Sequence, residues 1–137
     1  MTHPQSPAPS ARTAQLNVSA AAARYRGVQV ATCSPLQLLV MLFDGAIRFI
    51  GEAEAAMDTR DRARAGERIG KAHAILGELA STLDRSHAPE LCDNLLGIYS
   101  FCMGHLLEAN LHQDPKRLTE VVSSLTPLRE GFSAISG

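Results

Sequence analysis

Residues 34–57 read SPLQLLVMLFDGAIRFIGEAEAAM, and this stretch decides the fold. Ser34 is an N-cap candidate whose hydroxyl can accept a bond from a first-turn amide. Pro35 follows at the first helical position, where a missing N–H costs nothing. Leu36, Leu38, Leu39, Val40, Leu42, Phe43, Ala46, Ile47, Phe49, Ile50, Ala53 and Met57 then recur with a helical period. Together they cover an arc of roughly 200°, about twice the minimum stripe of a surface helix.

Downstream, the pattern of start signal and apolar period repeats three times. Asp58-Thr59-Arg60-Asp61 breaks the first helix, and a second runs to about Asp84. Ser86 to Pro89 starts a third, which continues to about His112. Asp114-Pro115 repeats the cap-plus-proline device and opens a fourth. Pro127 lies inside that last helix and removes one internal hydrogen bond, which predicts a kink or break there. Each helix spans about 20 to 24 residues, or roughly 30 to 36 Å at 1.5 Å per residue. Matched lengths and short connections describe an all-α, antiparallel, up-down four-helix bundle.

Upstream, Tyr25-Arg26-Gly27-Val28-Gln29-Val30 reads as extended, with two β-branched residues, a glycine and no helical period. Asn17 through Arg24 suits a short helix. Residues 1–16, with Pro4, Pro7 and Pro9 among Ser, Ala and Gln, read as a disordered tail. The expected organisation is therefore a tail over 1–16, a cap segment over 17–33 and the bundle over 34–136.

Composition narrows the function classes. At 137 residues the chain holds one modest core, and its 45% apolar content is ordinary for a globular domain. Aromatics are only 4%, with no Trp, so Leu, Ile, Val, Met and Ala must build the interior. A net charge of -1 argues against a nucleic-acid binder, which would need a basic face. No apolar run approaches the ~18 residues of a membrane span, and the N-terminal residues, without a charged start and an apolar stretch after it, lead us to expect no secretory signal. Cys33, Cys92 and Cys102 form no CxxC and read as free thiols in a reducing cytosol.

The helix faces raise the question of a partner. The apolar arc of the third helix (Leu91, Leu95, Leu96, Ile98, Tyr99, Cys102, Met103, Leu106, Leu107, Ala109) is nearly as wide as that of the first. Either these two helices are the most buried pair, or part of each arc seats a guest. Phe101 falls on the polar side of the third helix between Gly97 and Gly104. Met41 falls among Asp44, Arg48 and Glu52 on the first. The second helix has a narrow apolar arc and a separate strip of small residues, Ala63, Gly66, Gly70, Ala74, Gly77 and Ser81. Glycines inside a helix cost roughly 1 kcal/mol each relative to Ala. That strip means either close packing on a neighbour or a smooth track for a partner's helix.

Motifs for catalysis or metal binding do not emerge. His3, His73, His87, His105 and His112 show no HExxH and no ExxH, and no GxSxG, P-loop or GxGxxG occurs. Glu108 and His112, one turn apart, read as a surface pair. The expectation is a binding protein without cofactor, metal or catalytic residue.

The run from Tyr25 to Ile47 resembles the opening of the FliS family of flagellin export chaperones. The shared pattern is a Tyr-led extended segment, Thr32-Cys33-Ser34-Pro35, then a Leu- and Met-rich helix ending Phe43-Asp44-Gly45-Ala46. Lys71 to Leu79, Leu95 to Asn110 and Leu118 to Ile135 are similar to the later helices of that family. Phe43 stands where Tyr is common, and Pro127 departs from the pattern.

The resemblance implies a protein of the bacterial cytosol that binds the C-terminal segment of flagellin. It would block premature polymerisation and deliver the cargo to the flagellar type III export apparatus. It also implies presentation to the export gate, and it leaves room for an anti-sigma or assembly regulator as a further partner. Sequestering such a regulatory factor is the alternative primary role. The segment before the first helix would cover part of the groove when cargo is absent. The residues expected to contact a partner are Tyr25, Val28, Val30, Leu38, Met41, Gly70, Ala74, Gly77 and Phe101.

Overall fold

The computed structural model describes residues 34–136. It contains four helices: α1 Pro35–Asp58, α2 Arg62–Ser81, α3 Pro89–His112 and α4 Pro115–Ser136. Their starts follow from local chemistry. Ser34 and Gln37 form a reciprocal capping box, the Gln37 amide donating to Ser34 Oγ at 3.1 Å and the Ser34 amide donating to Gln37 Oε1 at 3.0 Å. Asp61 accepts from the Arg64 amide at 3.1 Å and starts α2. Pro89 and Pro115 open α3 and α4.

α2 stops at Ser81, three residues before the expected end. The Ser81 and Thr82 hydroxyls turn back onto the carbonyls of Glu78 and Leu79. Asp84 bonds the Ser86 amide instead of continuing the helix. The kink or break expected at Pro127 does not end α4, which stays helical through it.

The connections dictate the topology. Residues 59–61 reach at most about 10 Å, far short of a 24-residue helix, so α2 must return alongside α1. Gln113 and Asp114 alone join α3 to α4; Gln113 takes a left-handed backbone at φ 49°, and the Asp114 amide reaches back to the Ala109 carbonyl at 2.9 Å. Cross-helix pairs confirm the direction. Arg129 pairs with Asp44, and the Thr119 hydroxyl meets Glu54, so ten residues onward in α1 is ten residues back in α4. The helices pack as a ring in the order α1, α2, α3, α4, with α4 closing on α1. This is the all-α four-helix bundle read from the sequence.

At its centre Phe43 of α1 meets Tyr99 of α3 (ring centroids 6.2 Å apart) and stacks on Phe132 of α4 at 5.7 Å. Leu42, Ile50, Ile75, Leu76, Leu106 and Leu125 fill the layers around them, all essentially inaccessible to solvent. Burial of this kind stabilises by about 1.5–3 kcal/mol per large aliphatic side chain. No described helix is long and apolar enough to cross a membrane.

Candidate functional site: two grooves flanking α3

Surplus apolar surface concentrates on one helix. Among the described residues six large hydrophobic side chains are left exposed, and five belong to α3: Leu91, Leu96, Phe101, Leu107 and Leu111. Ile135 of α4 is the other. α1 contributes none, because both flanks of its wide arc are taken up by α2 and α4. The two wide arcs therefore have different explanations. That of α1 is core; that of α3 spills outside.

The α3 surplus divides between two grooves. Leu96, Met103, Leu107 and Leu111 are spaced by seven, four and four residues and so share one stripe. This stripe borders α2. A Cβ at Gly77 would lie 3.6 Å from Met103 Cε, and one at Gly66 would lie 3.5 Å from Asn110 Oδ1. Between them, a Cβ at Gly70 would meet nothing within 4 Å. Ala74 is half-buried and Gly70 is exposed. The small-residue strip thus packs on α3 at two points and lies open at Gly70. The result is a shallow trough with a smooth α2 wall and a leucine wall on α3.

The second groove separates α3 from α4. His105 Nε2 lies 2.6 Å from Glu120 Oε1 across its upper end, and the His105 ring stacks on Phe101 at 4.9 Å. Below that pair a cavity of about 480 Å³ is lined by Asn94, Gly97, Ile98, Phe101, Ser124 and Pro127 among others. A smaller cavity of about 180 Å³ continues past Pro127 to Leu91, Leu128 and Ile135. It adjoins one of about 310 Å³ at the bundle end, where Pro35, Leu36, Leu83, Leu91, Tyr99 and Phe132 meet.

The residues singled out from the sequence are scattered by the fold. Gly77 borders α3 beside Met103, Gly70 lies open and Ala74 is half-buried on the same helix, whereas Phe101, half exposed, walls the groove on the opposite flank of α3. Met41 is partly buried against the edge of the core on α1. Leu38 is corrected: it is 0% exposed inside the core cluster and offers no atom to a partner. Tyr25, Val28 and Val30 lie outside the described residues, as do the tail and cap segments. Sequence reasoning missed Leu111, although its place four residues after Leu107 continues the exposed stripe.

Chemistry in the bundle is quiet. Among the described residues no three His, Cys, Asp or Glu side chains converge to hold a metal. Burial pushes the Cys102 thiol up to about 11, which keeps it protonated and unreactive at neutral pH. What the surface offers is shape and grease.

Comparison with known proteins agrees with that picture. The family model described as flagellar protein FliS matches residues 17–137. The chain is 33% identical over 108 residues to the flagellar secretion chaperone FliSB of Pseudomonas aeruginosa, spanning 79% of this chain and 86% of that protein. It is 34% identical to the flagellar secretion chaperone FliS of Salmonella typhimurium (78% and 80% coverage). It is 32% identical to that of Bacillus subtilis (79% and 80%).

Proposed function

This chain belongs to the FliS family of flagellar secretion chaperones, and from that premise we propose that its cargo is the C-terminal segment of flagellin. The protein holds that segment in the cytosol, prevents its premature polymerisation and hands it to the flagellar export apparatus. One observation carries this reading: Leu96, Leu107 and Leu111 stay exposed on α3, beside an α2 on which a Cβ at Gly70 would meet nothing within 4 Å.

The physics is coupled folding and binding. A disordered apolar segment gives up conformational freedom, and the apolar area it covers must exceed that cost. Covering the exposed remainder of each α3 leucine contributes on the order of 1 kcal/mol. Several such anchors are needed, so an amphipathic helix laid along the trough suits the site better than a short extended peptide. With no Cβ at Gly70, the guest's backbone can approach α2 closely. In this reading Gly70, Ala74 and Gly77 form the close-approach wall and Phe101 and Met41 are peripheral contacts. Tyr25, Val28 and Val30 add contacts from the segment before α1.

The test mixes the purified full chain with flagellin and with flagellin lacking its C-terminal segment. The expected result is a stoichiometric complex with the first and none with the second. Equal binding to both would overturn the proposal.

A further inference from the structure

Three features of α4 converge on Pro127. The proline has no N–H, so the Ser123 carbonyl receives no helical bond from the residue four positions on. Just upstream, the Ser124 hydroxyl donates to the Glu120 carbonyl at 3.1 Å and the Thr126 hydroxyl donates to the Val122 carbonyl at 2.8 Å. Side-chain bonds of this type loosen and bend helices. Just downstream sits Gly131, where an added Cβ would meet nothing within 4 Å. Packing does not require a glycine at 131, and its presence weakens that turn.

The part of α4 beyond this point also borders unfilled space. Phe132, half-buried, lines both the 310 Å³ cavity at the bundle end and the 180 Å³ cavity beside α3. Its ring is held by stacking on Phe43. The one ion pair across to α1 from this segment, Arg129 with Asp44, has substantial exposure on both sides and is a weak tether. By contrast, Leu118, Val121 and Leu125 in the first half of α4 are sealed in the core.

We infer that Pro127 is a hinge: residues 128–136 tilt away from α3 as a unit, withdrawing Phe132 from Phe43 and merging the two cavities it separates into one apolar trough. The unit is short, underpacked and joined to a well-packed half-helix by a backbone that already lacks one bond. Those are the marks of a segment that opens below the free energy of global unfolding. The hinge goes beyond the flagellin reading and is tested on the free protein, so failure of either leaves the other standing.

Amide hydrogen exchange on the full chain without cargo decides it. Amides of 128–136 are expected to exchange about tenfold or more faster than those of 117–126, the signature of sub-global opening. Pro127→Ala restores the missing bond and should slow 128–136 by a comparable factor. Phe132→Ala should speed 128–136 further while leaving 117–126 unchanged. Uniform protection along α4 in the parent protein would overturn the hinge. So would fast exchange of 128–136 that Pro127→Ala leaves unaltered, since that is ordinary fraying of a helix end. An equal acceleration of both halves by Phe132→Ala would likewise overturn it, by showing that α4 moves as one piece.

Discussion

Leu106 and Cys102 lie one turn apart on the buried face of α3, and each sets a measurable limit. Leu106 is fully enclosed, so Leu106→Ala should cost about 2–5 kcal/mol. That is a large share of the roughly 5–15 kcal/mol total stability of a small domain, and urea unfolding checks it. Cys102 bears on pH. Its thiol is raised from 9.0 to about 11 by burial, so the folded state favours the protonated form. The stability this contributes is fully present below pH 9 and is lost as pH rises through about 11. Tyr99, also raised by burial, pushes in the same direction. Melting temperature should therefore fall across pH 9 to 11, with a shallower fall in Cys102→Ala; an equal slope in the variant would count against the assignment. At this scale the sequence is least informative. Leu38 and Leu107 are both leucines on broad apolar arcs, one buried and one exposed. Only the neighbours each helix acquires make one of them core and the other surface.

The helices themselves were largely legible. Ser34-Pro35 and Asp114-Pro115 are short-range signals, and local bonds fix those starts wherever the helices later pack; the Asp61 cap of α2 lay unread within the break at 58–61. The end of α2 was harder to read, because Thr82, Leu83 and Asp84 are compatible with another turn until their side chains choose other partners. α2 also carries the clearest prediction at this scale. Gly70 sits mid-helix in open space, so Gly70→Ala should stabilise the free protein by about 0.5–1 kcal/mol. If the α2 strip is the close-approach wall, the same change weakens cargo binding. Thermal melts and titration calorimetry on one variant thus read opposite signs. Ala74→Glu should cut binding more severely while the circular dichroism spectrum stays helical. A collapsed spectrum would instead mark Ala74 as a core position.

For the molecule as a whole, the bundle was readable because four apolar periods of similar length with short links leave few other arrangements. The placement of the surplus was not, because it depends on which helix finds itself between two open seams. The register makes α3 that helix, with the trough to α2 on one flank and the Phe101 groove on the other. The Arg129–Asp44 pair closes the far side, and a double-mutant cycle there should return only about 0.2–1 kcal/mol. α3 therefore acts as an axle. A partner chain that filled both of its flanks would have to cross α3, over one end or across its exposed outer face, and so would wrap the helix; drawn off from one terminus, such a chain would give up one flank before the other.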